Sequence, residues 1–382
     1  MFSLANSKSV WAVCLLLLAG CQGGGRGPNE SNMRAPSNAP AAATKPSAAA
    51  PGEGVSAQEQ YDFGGVDRLL DRAVPRIGSG ALLVVKDGRV IYRRAFGRGS
   101  EERVVPVASA SKWLSAAVIM TLVDEGKLGL DDPVSKYLPS FSGDKAAITI
   151  RQLFSHTSGL PPEARCRNDK ATTLERCAEE MAGLRLRATP GAEFHYGGVS
   201  MHVGGRVAEV VSGKAWNDLF LEKIAAPLGM TRTDYFSYGA TRNPRPEGDA
   251  RSSVDDYGRF LQMLLNRGEF NGRRVLSEAA VAEMHKDQTG GARIAYTIYE
   301  KHGDLNPELL RARYGLGVWR EVVEAETGEL LEASSQGALG FSPWIDLERN
   351  LGGVLLVQSS FSKVMPVYLE LKREIRRVVP RD

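Results

Sequence analysis

The sequence predicts a mixed α/β (α+β) domain built on one mainly antiparallel sheet with flanking helices. Strand-like runs occur near both ends of the folded part of the chain, and consecutive runs are joined by turns too short for crossovers. Between them lies a long, largely helical stretch. A single sheet assembled from both chain ends, with a helical region inserted, satisfies all of these observations. The 382 residues, 43% hydrophobic and 24% charged, suffice for a sizeable core. A formal charge of +3, without clustering, gives no reason to expect a nucleic-acid partner.

The first residues read as an export signal. Lys8 precedes an apolar run from Val10 to Leu18, which is too short to span a bilayer permanently. The run ends in Leu18-Ala19-Gly20-Cys21, which resembles the bacterial lipobox, so residues 1–21 are expected to be a lipoprotein signal and Cys21 the lipidated residue. From residue 22 to about 60, Gly, Ala, Pro and Ser dominate, and this stretch reads as a flexible tether. Such a chain has a root-mean-square span of about 35 Å, which would hold a catalytic domain (61–382) just off a membrane. The expected location is the bacterial cell envelope, with the domain periplasm-facing or on the cell surface.

A hairpin is predicted over 81–96, with Ala81–Val85 and Val90–Tyr92 flanking an Asp87-Gly88 turn. From Ser109 to about Leu310 the pattern is largely helical, punctuated by Gly and Pro. Strands are predicted over Tyr314–Val323, Glu329–Glu332, Ala338–Ile345 and Leu351–Gln358, followed by a helix from about Lys363 to Val379. Cys14 leaves with the signal. Cys166 and Cys177, eleven positions apart with no histidine within a few residues, suggest a local disulfide rather than a metal site, free thiols being the other reading. A Gly-x-Ser-x-Gly elbow, a His-Glu-x-x-His helix and a phosphate-binding glycine loop are all missing, which removes several enzyme classes.

Three serines stand three residues before a lysine: Ser109 with Lys112, Ser142 with Lys145, and Ser360 with Lys363. Ser142 lies in a turn-rich stretch where the pair would be solvated, and Lys363 opens a terminal helix interrupted by Pro366. Ser109 instead leads into a helix that is apolar nearly all round, Trp113 to Val123, and therefore buried. Residues three apart share a helical face, so Lys112 stands beside Ser109. Burial and the positive end of the helix dipole both favour the neutral amine, which can accept the serine proton. A serine that only caps the helix, with Lys112 reaching outward, is the alternative.

With that pair in place, the chain from about 60 to 380 resembles the serine β-lactamase, penicillin-binding protein and class C-type esterase superfamily. The stretches GKLGLDDPVSKYLP (126–139), ITIRQLFSHTSGLP (148–161) and PLGMTRTDY (227–235) carry the likeness further. The resemblance implies a β-lactamase/DD-peptidase-like fold and an acyl-enzyme hydrolase without metal or cofactor, acting on a small-molecule ester or amide. Ser109 would be the nucleophile, and Lys112 and Tyr196 the base pair. The second motif, Tyr-x-Asn, falls on Tyr196-Gly197-Gly198, so its asparagine is missing; a phenolate at Tyr196, favoured by the adjacent ammonium, is expected to relay the proton. His195 is a substitute base. The third motif, Lys-Thr-Gly or His-x-Gly on a strand edging the cleft, falls on Ser335-Gln336-Gly337, with Gly337 letting backbone approach the substrate and the amides of Ala338 and Ser109 forming an oxyanion hole. His156 and the Asp131-Asp132 pair are expected to be structural.

Gly198 and Ser335 replace the groups with which the superfamily grips the amide and carboxylate of penicillins and D-Ala-D-Ala peptides. An esterase is therefore expected. A β-lactamase or carboxypeptidase is the alternative, since arginines elsewhere can supply charge, and a non-catalytic binding protein is another. For the N-terminus, Cys21→Ser should abolish lipid labelling in a bacterial host and either release the protein from membranes or stall its processing. The anchor would rest on acyl chains, each buried methylene contributing ~0.8 kcal/mol. An unlabelled wild type would remove the anchor.

Overall fold

The computed structural model describes residues 61–300 and 313–381; the expected signal, Cys21 and the tether lie outside the described residues. The sheet has seven strands: β1 (Gly80–Lys86), β2 (Arg89–Phe96), β3 (Arg313–Tyr314), β4 (Trp319–Val323), β5 (Leu330–Ser334), β6 (Ser342–Asp346) and β7 (Leu351–Val357). Their spatial order is β2-β1-β7-β6-β5-β4-β3, and every pairing is antiparallel. The two chain ends meet where β1 pairs with β7, Gly80 opposite Val357 and Lys86 opposite Leu351. Asp87 and Gly88, both at positive φ, close the first hairpin as a tight turn of the hand that matches strand twist.

Every residue of β1 and β7 is buried. One-sided alternation is absent because helices cover both faces of the sheet. Helix α6 (Val254–Leu265) packs on the face of Leu83 and Val85, in the same apolar cluster as α2 (Ser111–Asp124). Helices α1 (Gly64–Ile77) and α8 (Phe361–Val378) cover Leu82, Val84, Leu355 and Val357 from the other side. The sequence expectation began the domain at its first strand. Yet Val66, Leu69, Leu70, Ala73 and Ile77 recur at helical spacing and form the buried stripe of α1. Between β2 and β3 lie α2, α3 (Ile150–Phe154), α4 (Leu174–Ala182), α5 (Val199–Ser212), α6 and α7 (Glu278–His285).

Two strand expectations need correction. The run 314–323 is two strands, because Gly317 at positive φ breaks it: a Cβ there would stand 2.3 Å from the carbonyl oxygen of Lys112, so the chain presses against α2 at that point. The predicted strand 338–345 begins only at Ser342. Residues 335–341 form a loop closed by Gly337 N–H to Phe341 O (2.8 Å) and Gly340 N–H to Gly337 O (2.9 Å). Cys166 and Cys177 are joined as a disulfide that ties the loop before α4 to that helix.

Gly353 on β7 faces Trp344 on β6, and a Cβ there would stand 2.2 Å from the indole ring. Gly353→Ala should therefore overpack the sheet, destabilising the domain by about 1–3 kcal/mol. Thermal unfolding checks this, and an unchanged midpoint would mean that the indole has room to move.

Candidate active site

The nucleophile candidate sits in a turn, not in the helix proper. Ala108–Ala110 form a short 3-10 segment and α2 begins at Ser111. Ala108 has φ +47, a left-handed conformation that a residue with a Cβ adopts at a cost, so its surroundings must enforce it. They do so on several sides. Ser111 Oγ donates to Ala108 O (2.6 Å) and accepts from Ala250 N–H (3.0 Å); Val107 N–H donates to Ala250 O (2.9 Å); Tyr257 OH donates to Ala110 O (2.8 Å). From below, Ser335 Oγ donates to Ser109 O (3.2 Å).

Residues 111 to 122 of α2 are all buried, as the apolar pattern requires. Lys112 is only 3% exposed, and its Nζ donates to Ser109 Oγ (3.2 Å) and to the carbonyl oxygen of Glu247 (2.9 Å). Burial pulls its ammonium down to about 7; the Glu247 carboxylate opposes that fall and the Arg167 guanidinium adds to it. Near neutrality a large fraction of this amine is unprotonated, which an ordinary lysine never is.

Tyr196 follows the short strand Glu193–His195, which pairs in parallel with Arg293–Tyr296. Its ring lies 4.8 Å from Lys112 Nζ and stacks on Trp319. Burial pushes the phenol well above its ordinary value, and a hydrogen bond with the Ser109 side chain only partly offsets this. The expected phenolate is thus not favoured: with its phenol raised by burial, Tyr196 keeps its proton near neutrality, beside an amine that is then about half protonated. His195 turns to Tyr296, ring centroids 5.4 Å apart, and is no part of the Ser109–Lys112 cluster.

The third-motif residues divide. Ala338 and Gln336 line a cleft of about 210 Å³ together with Ser109, Tyr296, Ile298, Glu300 and Phe361. Ser335 does not edge this cleft: it is 2% exposed, and its hydroxyl points under the nucleophile turn. Gly337 serves a different close approach from the one expected. A Cβ there would stand 2.2 Å from Val107 O, so the glycine lets the loop lie against the nucleophile turn itself. The Gln336 side chain is drawn inward, accepting from Tyr299 OH (2.7 Å) and donating to Glu321 (3.2 Å) and Ser334 (2.9 Å).

Among the rival pairs, Ser142, Ser360 and Lys363 are exposed, while Lys145 is buried but bonded to Asp144 (3.0 Å). Asp131 chelates Arg151 (2.7 and 2.8 Å), and Asp132, held down to about 2 by Tyr137, the Gly129 amide and Lys136, caps its turn. His156 lies buried between the rings of Tyr196 and Tyr314, and burial holds its imidazole neutral. Sequence reasoning missed Glu247, whose main-chain oxygen accepts from Lys112, and Arg167, which pairs with the Glu247 carboxylate. Among the described residues no cluster of His, Cys, Asp or Glu is arranged to hold a metal ion.

The beta-lactamase family model matches residues 66–375. The chain belongs to the beta-lactamase family. That family comprises serine hydrolases, and the mixed, antiparallel-sheet fold agrees with it. The chain is 35% identical to a putative beta-lactamase from Bacteroides dorei, with a TM-score of 0.75, covering 84% of this chain and 99% of that one. It is 30% identical over 213 residues to the Escherichia coli D-alanyl-D-alanine-carboxypeptidase/endopeptidase AmpH, covering 50% of this chain and 53% of that protein. EstCE1, a hydrolase with promiscuous acyltransferase activity, shares the fold at TM-score 0.63 and 22% identity, covering 81% of this chain and 99% of that one. The chain spans about half the length of the curated relatives it matches, 43% for the Staphylococcus aureus protein flp.

The dry setting of Lys112 has a direct readout. Its Nζ should titrate near 7 by nitrogen NMR, assigned by comparison with Lys112→Met. An ordinary lysine value would show that water reaches the amine.

Proposed function

We propose that this family member is an esterase that works through an acyl-enzyme on Ser109. Lys112 removes the serine proton as Oγ bonds to the acyl carbon, and the carbonyl oxygen, now an oxyanion, takes hydrogen bonds from the amides of Ser109 and Ala338. Tyr196, which keeps its proton, gives it to the departing alkoxide and recovers one from the Lys112 ammonium, so the serine proton ends on the alcohol. Water then attacks the acyl group, its proton passing to Lys112 and on to Ser109 Oγ as the acyl bond breaks. The 3.2 Å separation of Nζ and Oγ, with the amine near 7, supports Lys112 as base.

One observation carries the preference for neutral esters. Among the described residues lining the cleft there is no Lys, Arg or His. Tyr296, Ile298 and Phe361 supply apolar wall, and Glu300 supplies a carboxylate that would repel an anionic substrate. Hydrolysis of D-alanyl peptides or β-lactams is the second reading, favoured by the likeness to AmpH. A lipid anchor at Cys21 would place this activity at the cell envelope, on small-molecule substrates near a membrane.

A fluorophosphonate probe should label the wild type and not Ser109→Ala; an unlabelled, folded wild type would make the protein a binder. Lys112→Ala should lower kcat/KM for a short-chain aryl ester by on the order of 10²–10⁴. Since the base must be unprotonated, kcat/KM should fall as pH drops below about 7. More than half of wild-type turnover in Lys112→Ala would discard the base. Faster turnover of a chromogenic β-lactam than of any aryl ester would reverse the substrate preference.

A further inference from the structure

The missing asparagine of the second motif leaves a space, and that space is filled. A Cβ on Gly198 would stand 2.1 Å from Arg167 Nη2, 2.3 Å from Cζ and 2.8 Å from Nε. Glycine at 198 is therefore the condition for the guanidinium to lie where it does. Arg167 is 9% exposed; its Nε donates to Glu247 Oε1 (2.8 Å), Nη2 reaches the same oxygen (2.7 Å), and Nη1 meets Glu163 and Pro162 O. Glu247 is 2% exposed, its second oxygen facing Nδ1 of the buried His202 at 3.7 Å. The carbonyl oxygen of this same residue accepts from Lys112 Nζ. Arg167 is held on its own side by the Cys166–Cys177 disulfide, and Cys166 O accepts from Asn243 (2.9 Å).

We propose that the buried Arg167–Glu247 ion pair, built into the volume that the absent side chain at 198 leaves free, holds the Lys112 amine in place and balances the charge around it. The inference rests on Lys112 being the base. Neither Arg167 nor Glu247 lines the cleft; they act through Lys112. The charged and titratable groups facing that amine are Glu247, Arg167, Glu163 and Arg245, with the Tyr196 phenol and the neutral His156 ring beside them. Burial works against the Glu247 carboxylate, but Arg167 above all, with His202 and Lys112, holds its carboxyl well below the ordinary range, so both members of the pair stay charged. Arg167 disfavours the Lys112 ammonium and Glu247 favours it, so each charge balances the other.

The two single-charge variants therefore have opposite signs. Arg167→Met leaves the carboxylate alone beside the amine, and the acidic limb of kcat/KM for a short-chain aryl ester should move to higher pH. Glu247→Gln leaves the guanidinium alone, and the limb should move to lower pH. A shift of about one unit is expected in each direction, a roughly tenfold change in kcat/KM at a pH below the limb. The double variant Arg167→Met/Glu247→Gln should bring the limb back toward the wild-type position. Gly198→Ala, which displaces the guanidinium without deleting a charge, should shift the limb upward like Arg167→Met; this variant and the double one carry the test should a single-charge variant fail to fold. Limbs that stay in place while kcat/KM falls uniformly, or that all move one way, would reduce the pair to scaffolding and overturn the proposal. Retained activity in Lys112→Ala would instead overturn the assignment of the base.

Discussion

The site depends on one constraint, the burial of a lysine amine inside a helix that is apolar on every side. Lys112 sits among Trp113, Leu114 and the other buried residues of α2, where solvation of an ammonium is lost. That loss is what brings the amine to about 7 and fits it for the proposed role of base beside Ser109. The same burial acts on Tyr196, whose phenol it raises well above the ordinary value. The helix has to be enclosed completely for this to work. Helices α5 and α7, α6 through Phe260 against Trp113, and the segment at Gly317, which touches the Lys112 carbonyl, supply the enclosure.

Enclosure alone does not orient anything. The nucleophile turn is held in the left-handed conformation at Ala108 by hydroxyl groups that meet main-chain atoms: Ser111, Tyr257 and Ser335. Val107 O lies in the space that a side chain at 337 would need. A loop from the far end of the chain thus lies against this turn, with Ala338 and Ser109 lining one cleft, and the two amides of the proposed oxyanion hole come from parts of the sequence more than 200 positions apart.

That loop is fixed from behind by a buried polar cluster. Glu321 on β4 accepts from Gln336, from Tyr368 (2.8 Å) and from Lys372 (2.6 Å) on α8, while Lys372 also reaches Glu332 (2.5 Å). Burial opposes ionisation of Glu321, but Lys372 holds its carboxyl below the ordinary value, and with Glu332 and Arg376 the group forms a cluster of alternating ion pairs under the cleft wall. Such pairs add little net stability against apolar packing, but deleting one partner strands the other, so they specify geometry.

Local features were legible in the sequence. The hairpin at Asp87-Gly88 needs only the turn preference of two residues, and Ser109 with Lys112 needs only the i,i+3 geometry of a helix together with its apolar surroundings. The amphipathic stripe of α1 was equally available in the pattern. Tyr196 came from a resemblance, because nothing in its own neighbourhood marks it. What only the tertiary structure decided concerns directions and distant approaches. Ser335 points beneath the nucleophile turn because β5 ends at Ser334 and the chain loops there, an outcome that side-chain alternation along a strand does not predict. The asparagine's absence was readable at Gly198, but the guanidinium in its place was not, because Arg167 gets there through a disulfide-tied loop and pairs with Glu247, eighty positions further on. A sequence determines which side chains carry charge and which segments are dry; which charges share one dry space follows only once the loops have closed over it.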